Sequence, residues 1–150
     1  MAIELGSPVI AHAIQFAVAP VFLLTGIAGL LGVMTNRLAR VIDRARALEQ
    51  AWKTLDDAGR DSVREEIRDL EKRRRLASRA INFCTCAALL VCILIAALFI
   101  DEFFGVNIRW LVGALFVAAM IAVIGGLAAF LREVWYATNT MHFDVEKFLR

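Results

Sequence analysis

The sequence predicts an all-α integral membrane protein with three transmembrane helices. A long cytoplasmic antiparallel helical hairpin, coiled-coil-like in its spacing, is expected between spans 1 and 2. Three observations predict this. Apolar residues make up 60% of the chain and the mean hydropathy is +0.66, too high for an ordinary soluble domain. Three uncharged runs, Leu5–Asn36, Ala80–Ile100 and Trp110–Leu131, each reach the ~20 residues needed to cross about 30 Å of hydrocarbon. Charge is segregated: residues 35–80 hold thirteen of the seventeen Lys/Arg and nine of the fifteen Asp/Glu, a local net of +4 in a chain whose formal charge is +2. The chain therefore reads as one membrane domain (1–150), with spans at about 10–34, 81–100 and 110–131, the hairpin over 35–80 and a cytoplasmic tail over 132–150.

Ser7-Pro8 starts the first helix, because the Ser hydroxyl caps free amides and proline at the first helical position loses no bond. No breaker follows between Asn36 and Leu55, so the span is expected to run without interruption into the charged section. A helix of roughly 48 residues would reach about 70 Å. Pro20 lies inside it and predicts a kink, since its ring clashes with the Phe16 carbonyl.

One face of this helix is small or polar: His12, Gln15, Ala19, Phe22, Gly26, Gly29, Val33, Asn36 and Arg40 recur at spacings of three and four. Such a face serves either as a packing seam, where small residues let membrane helices approach closely, or as the lining of a pathway in a homo-oligomer. His12, Gln15, Gly26, Gly29, Asn36 and Arg40 are its candidate packing or pore-lining residues.

Beyond Met34, the positions Leu38, Val41, Ala45, Leu48, Trp52 and Leu55 keep the three-four rhythm. Val63, Ile67, Leu70, Ala77 and Ile81 resume it after a turn, with Arg74 interrupting. Each arm of this hairpin has about 20 residues, roughly 30 Å. Gly59 in Asp56-Asp57-Ala58-Gly59 is expected to close the first arm in a left-handed cap, and Ser62 with Glu65 to form a capping box on the second. The pairs Glu49/Lys53, Asp69/Arg73 and Glu71/Arg75 support the exposed face. Trp52, near the tip, is a candidate anchor for a partner if exposed.

Basic residues near membrane ends stay on the cytoplasmic side, so residues 35–80 place the N-terminus outside and the C-terminus inside. A cleaved signal peptide is not expected, because the first run lacks a basic segment before it and is too long. Lys72, Arg73, Arg74, Arg75 and Arg79, close to the second span, are candidate lipid headgroup contacts. Interleaved acidic residues and the lack of a stacking platform argue against nucleic acid.

In the second span Ser78, Asn82, Thr85, Cys92 and Ala96 share a face that suits the glycine face of the first. Cys84, Cys86 and Cys92 lack metal or redox spacing and read as small apolar residues. The third span carries Ala114, Ala118, Ala122 and Gly126 in successive i+4 positions, a ladder suited to close helix contact. Trp110 marks its outer edge, and Trp135 with Tyr136 the inner one. Met141, Val145, Phe148 and Leu149 give a short amphipathic pattern.

The stretches Ala19-Pro20-Val21-Phe22-Leu23-Leu24, Thr35-Asn36-Arg37-Leu38-Ala39-Arg40 and Asp43-Arg44 resemble the bacterial membrane-protein family catalogued as domain of unknown function 2721, over about residues 8 to 136. The resemblance implies a small bacterial inner-membrane protein with three spans, and brings no activity, ligand or catalytic residue.

No phosphate-binding loop, nucleophile elbow, zinc spacing or intramembrane carboxylate pair is present, and His12 and His142 fall on opposite sides of the membrane, so neither enzyme chemistry nor a cofactor is expected. Two functions remain. The first is an oligomeric scaffold or assembly protein presenting the hairpin to a cytoplasmic partner; the second is a homo-oligomeric channel or permeation pathway lined by the first span.

Overall fold

The computed structural model describes residues 7–52 and 55–148, and the side chains of 11, 14–52, 55–57 and 59–138. Three helices account for almost all of it: α1 (Ser7–Ala51), α2 (Asp57–Phe104) and α3 (Arg109–Phe148). No strand occurs among the described residues. All three helices are long and apolar enough to cross a membrane, so the chain is a multi-pass membrane protein in a lipid bilayer.

α1 is helical from Ser7, the first described residue, and continues through Pro20. The Thr25 and Thr35 hydroxyls donate to the Val21 and Gly32 carbonyls at 3.1 Å, so these polar groups are satisfied within their own helix.

The α1–α2 connection differs from expectation. α2 begins at Asp57, so Gly59 lies in its first turn and Ser62 deeper still; neither ends or caps a helix. Asp56 is the cap: its Oδ1 accepts from the Gly59 amide at 3.0 Å and its carbonyl from the Arg60 amide at 2.9 Å. A carboxylate at a helix N-terminus gains from the dipole as well as the hydrogen bond, which favours Asp56 over Ser62. Glycine suits position 59 for closeness rather than a left-handed turn, since a Cβ there would lie 2.9 Å from Asp56 Oδ1 and 3.0 Å from Leu55 Cδ2. The left-handed residue is Gly105 (φ 61°), which closes α2 by donating to the Asp101 carbonyl at 3.0 Å. Asp101 Oδ1 then accepts from the Ile108 amide at 3.1 Å and holds the short link to α3.

The chain divides into two compact units. The first comprises residues up to Leu31 with Phe83–Ile124. Its buried positions are Ala17, Pro20 and Ile27 on α1, Cys84, Ala87, Val91, Leu94 and Ala97 on α2, and Ala119 on α3. Most are small, as close approach of membrane helices requires. Large side chains such as Phe22, Leu89, Ile93 and Ile121 point outward.

The second unit comprises Gly32–Asn82 with residues from Gly125 onward. Val41, Leu48, Val63 and Leu70 form its buried core, with Ala45, Trp52, Leu55 and Ile67 packed against them, so the three-four rhythm read from the sequence marks a true apolar contact. α1 and α2 run here in opposite directions, with Arg44 Nε 2.8 Å from Glu66 Oε1 and the Arg64 guanidinium 5.5 Å from the Trp52 ring centre. Trp52 is thus a half-buried part of the core beneath a cation, not a free anchor. α3 contributes Gly126, Glu133 and Ala137 to the buried set of this unit.

Cys84 is buried while Cys86 and Cys92 are exposed, and none of the three is in a disulfide. α3 runs as one helix to Phe148; the side chains of the amphipathic pattern after Thr140 and of His142 lie outside the described residues. Lys53, expected to pair with Glu49, also lies outside them.

Candidate functional site

Five basic residues crowded on α2 cannot share one helix face, because successive residues turn by about 100°. The structure sorts Lys72, Arg73, Arg74, Arg75 and Arg79 into different environments. Arg73 turns away from solvent, with Nη2 3.7 Å from Glu133 Oε1 on α3. Arg37 of α1 approaches the same carboxylate, Nη2 to Oε2, at 3.3 Å, and its guanidinium lies 5.3 Å from the Phe130 ring centre. Glu133 is 1% exposed, so all three helices converge on one buried carboxylate held between two guanidinium groups. Glu133 Oε2 and Arg73 Nε make no aligned hydrogen bond although the ions are in range, so the contact is a charge clamp rather than a bidentate fork. Arg73 therefore faces Glu133, and it does not pair with Asp69 as the spacing suggested.

Asp69 is taken by two other groups. Lys72 Nζ lies 3.3 Å from its Oδ1, and the Tyr136 hydroxyl donates to the same oxygen at 3.3 Å. Lys72 also donates to the Tyr136 oxygen at 3.5 Å. The Tyr136 hydroxyl and then the Asp69 carboxylate hold the Lys72 ammonium above its usual pKa. A raised amine contributes most below its unfolded pKa, and that contribution is lost as pH rises through the folded value.

Arg74 grips Glu71 with Nε at 2.8 Å and Nη2 at 3.1 Å, and Arg75 Nε adds a third bond at 3.1 Å, so the expected Glu71/Arg75 pair is present. The Arg74 and Arg75 hydrogen bonds push the Glu71 carboxyl below its usual range. Arg79 is exposed and forms no ion pair among the described residues.

The small-and-polar face of α1 is open. In the first unit Gln15, Ala19, Phe22, Gly26 and Gly29 are exposed, and in the second Val33, Asn36 and Arg40 are. The His12 side chain lies outside the described residues. A Cβ built on Gly26, Gly29 or Gly32 meets nothing within 4 Å. The buried positions of α1 are instead Ala17, Pro20, Ile27, Met34, Val41 and Leu48, the last five spaced seven apart. The expectation that Asn82 and Thr85 meet the glycine face is not met, since both are exposed. The alanine ladder of α3 is likewise open at Ala114 and Ala118, half-buried at Ala122 and buried only at Gly126. The chain's own contacts on α3 run through Ala119, Gly126 and Glu133, one every seven residues.

Glu133 did not emerge from the sequence. Its signal was a single carboxylate two residues beyond an uncharged run, in register with Gly126 and Ala119, but its partners lie far away in sequence. Among the described residues no group of three His, Cys, Asp or Glu gathers as a metal site. No curated protein and no solved structure matches the chain. Residues 17–143 match the model of a family described as protein of unknown function (DUF2721), and with most of its length covered the chain belongs to that family.

Proposed function

We propose that the protein is a small, non-enzymatic scaffold or assembly protein of the bacterial inner membrane, which forms homo-oligomers through the open face of α1. Its charged section, residues 35–80, is a cytoplasmic hairpin of coiled-coil character that presents a surface to protein partners. The observation that carries the reading is the emptiness around Gly26, Gly29 and Gly32. Each glycine costs about 1 kcal/mol relative to alanine in a helix, and nothing among the described residues occupies the space a methyl group would need. A second subunit gives these glycines a purpose, because van der Waals fit is the main force joining helices in lipid. Exposure of most of each span supports it too, with 17%, 28% and 17% of the most apolar stretch of the three helices buried. The basic excess of residues 35–80 supports the cytoplasmic placement, and the seven-residue spacing of Pro20, Ile27, Met34, Val41 and Leu48 supports coiled-coil pairing.

A permeation pathway is the second reading, favoured by Gln15, Asn36 and Arg40, exposed polar residues on the same face. The test is the protein mass in mild detergents and in nanodiscs, for wild type and for Gly29→Leu and Ala118→Leu. Both positions are open, so the added volume clashes with nothing among the described residues. Wild type is expected as an oligomer, and Gly29→Leu to shift toward the monomer with helicity kept. A wild-type monomer in every medium overturns both readings. A thiol at Gly29→Cys that reacts with water-borne reagents within the oligomer selects the pathway, and a protected one the dry seam.

A further inference from the structure

We propose that the charged section contains a specific site for the phosphate of an anionic phospholipid headgroup. A groove of about 290 Å³ opens between α1 and α2, lined by Leu38, Ile42, Arg74, Arg75, Ser78 and Arg79. Three of its six residues are arginines, one carries a hydroxyl, and two are aliphatic. Glu71 holds Arg74 and Arg75, and the cluster of the three arginines with Glu71 keeps a net of +2.

Glu71 positions the guanidinium groups without exhausting them. Each arginine has five N–H donors; Glu71 engages Nε and Nη2 of Arg74 but only Nε of Arg75. Among the described residues the remaining donors, all of those on Arg79 and the Ser78 hydroxyl are left for tetrahedral oxygens, which arginine binds in pairs.

Sequence position argues for a lipid rather than a free anion. Arg79 immediately precedes the uncharged run Ala80–Ile100, and Leu38 stands two residues beyond the run that ends at Asn36. The groove residues therefore belong to the headgroup level on that side, with Leu38 and Ile42 offering apolar surface to a glycerol backbone and the start of an acyl chain. A site for a soluble anion has no use for that surface. The proposal rests on the membrane embedding of the helices, and on neither the oligomer nor the orientation, so it stands or falls separately from them.

The test is native mass spectrometry of the full chain in detergent, titrated with phosphatidylglycerol or phosphatidylcholine. Wild type is expected to bind phosphatidylglycerol about tenfold more tightly, and Arg74→Gln/Arg79→Gln to lose about tenfold for that lipid alone. Arg79→Gln by itself, which breaks no ion pair, should show a smaller loss in the same direction with helicity unchanged. The charge-matched control Arg46→Gln/Arg68→Gln removes two exposed arginines that do not line the groove and should bind as wild type. Equal loss in the control, or no preference between the lipids, overturns the site as diffuse surface charge. Displacement of phosphatidylglycerol by millimolar inorganic phosphate overturns the lipid assignment in favour of a free-anion site.

Discussion

Glu133 is the residue on which the second unit depends most sharply. Replacing it with glutamine keeps the shape but leaves Arg37 and Arg73 facing each other without a counter-charge. Loss of one partner of a buried ion cluster costs about 3 to 5 kcal/mol. Both arginine side chains keep roughly a quarter of their exposure, so water screens part of the repulsion. The expected loss for Glu133→Gln is about 2 to 3 kcal/mol in reversible unfolding in micelles. Arg37→Gln should cost less, because Arg73 still compensates the carboxylate. Unchanged stability in Glu133→Gln would show that the clamp is solvated. Glu71 gives a pH-dependent test outside the membrane spans. Its carboxyl is lowered first by Arg74 and then by Arg75, so the interaction is fully present above the unfolded pKa and lost as pH falls through the depressed one. Carbon-13 titration should place Glu71 below the usual glutamate range, and Arg74→Gln should move it back up.

At the scale of elements, the apolar contact of α1 with α2 was legible because side chains at three-four spacing must share a helix face, whatever else the chain does. Leu48 and Leu70 were found that way. Leu48→Ala should cost about 2 to 5 kcal/mol and speed amide exchange across residues 40–75 while membrane insertion persists; unaltered exchange would deny the core at Leu48. The turn was less legible, since Asp56, Gly59 and Ser62 all satisfy local capping patterns and only the backbone path selects among them. The bond from the Gly59 amide to Asp56 makes Asp56→Ala a cap deletion worth about 1 kcal/mol. Serine substitution at Ser62, by contrast, leaves the cap intact, so Ser62→Ala should be nearly neutral. Glu133 was illegible because its partners at 37 and 73 sit on two other helices, and ion pairs of that separation leave no periodic trace.

For the whole molecule, uncharged runs and charge segregation were enough to anticipate three membrane helices, because backbone polar groups in lipid admit no other spanning structure at this composition. Which face of α1 the chain itself covers could not be read in advance: Ile27 and Met34 lie among glycines and alanines, and small residues suit an internal contact as well as an external one. The proposed orientation is tested with cysteines at Asp61 and Asn107, both exposed, with the native thiols replaced. A membrane-impermeant reagent on intact cells should label only position 107; labelling only at 61 reverses the topology. Gly59 is a poor choice for this probe, because a side chain there crowds the Asp56 cap.

The central claim is that the open α1 face joins subunits, and disulfide trapping in native membranes tests it most directly. With Cys84, Cys86 and Cys92 replaced by alanine, single cysteines are placed at Gly26, Gly29 and Gly32, and at Ile121 and Leu131 as outward-facing controls on α3. Mild oxidation is predicted to yield a covalent dimer from at least one glycine position and none from the controls. No dimer from any of the three glycine positions, or equal yield from Ile121 and Leu131, would contradict the account.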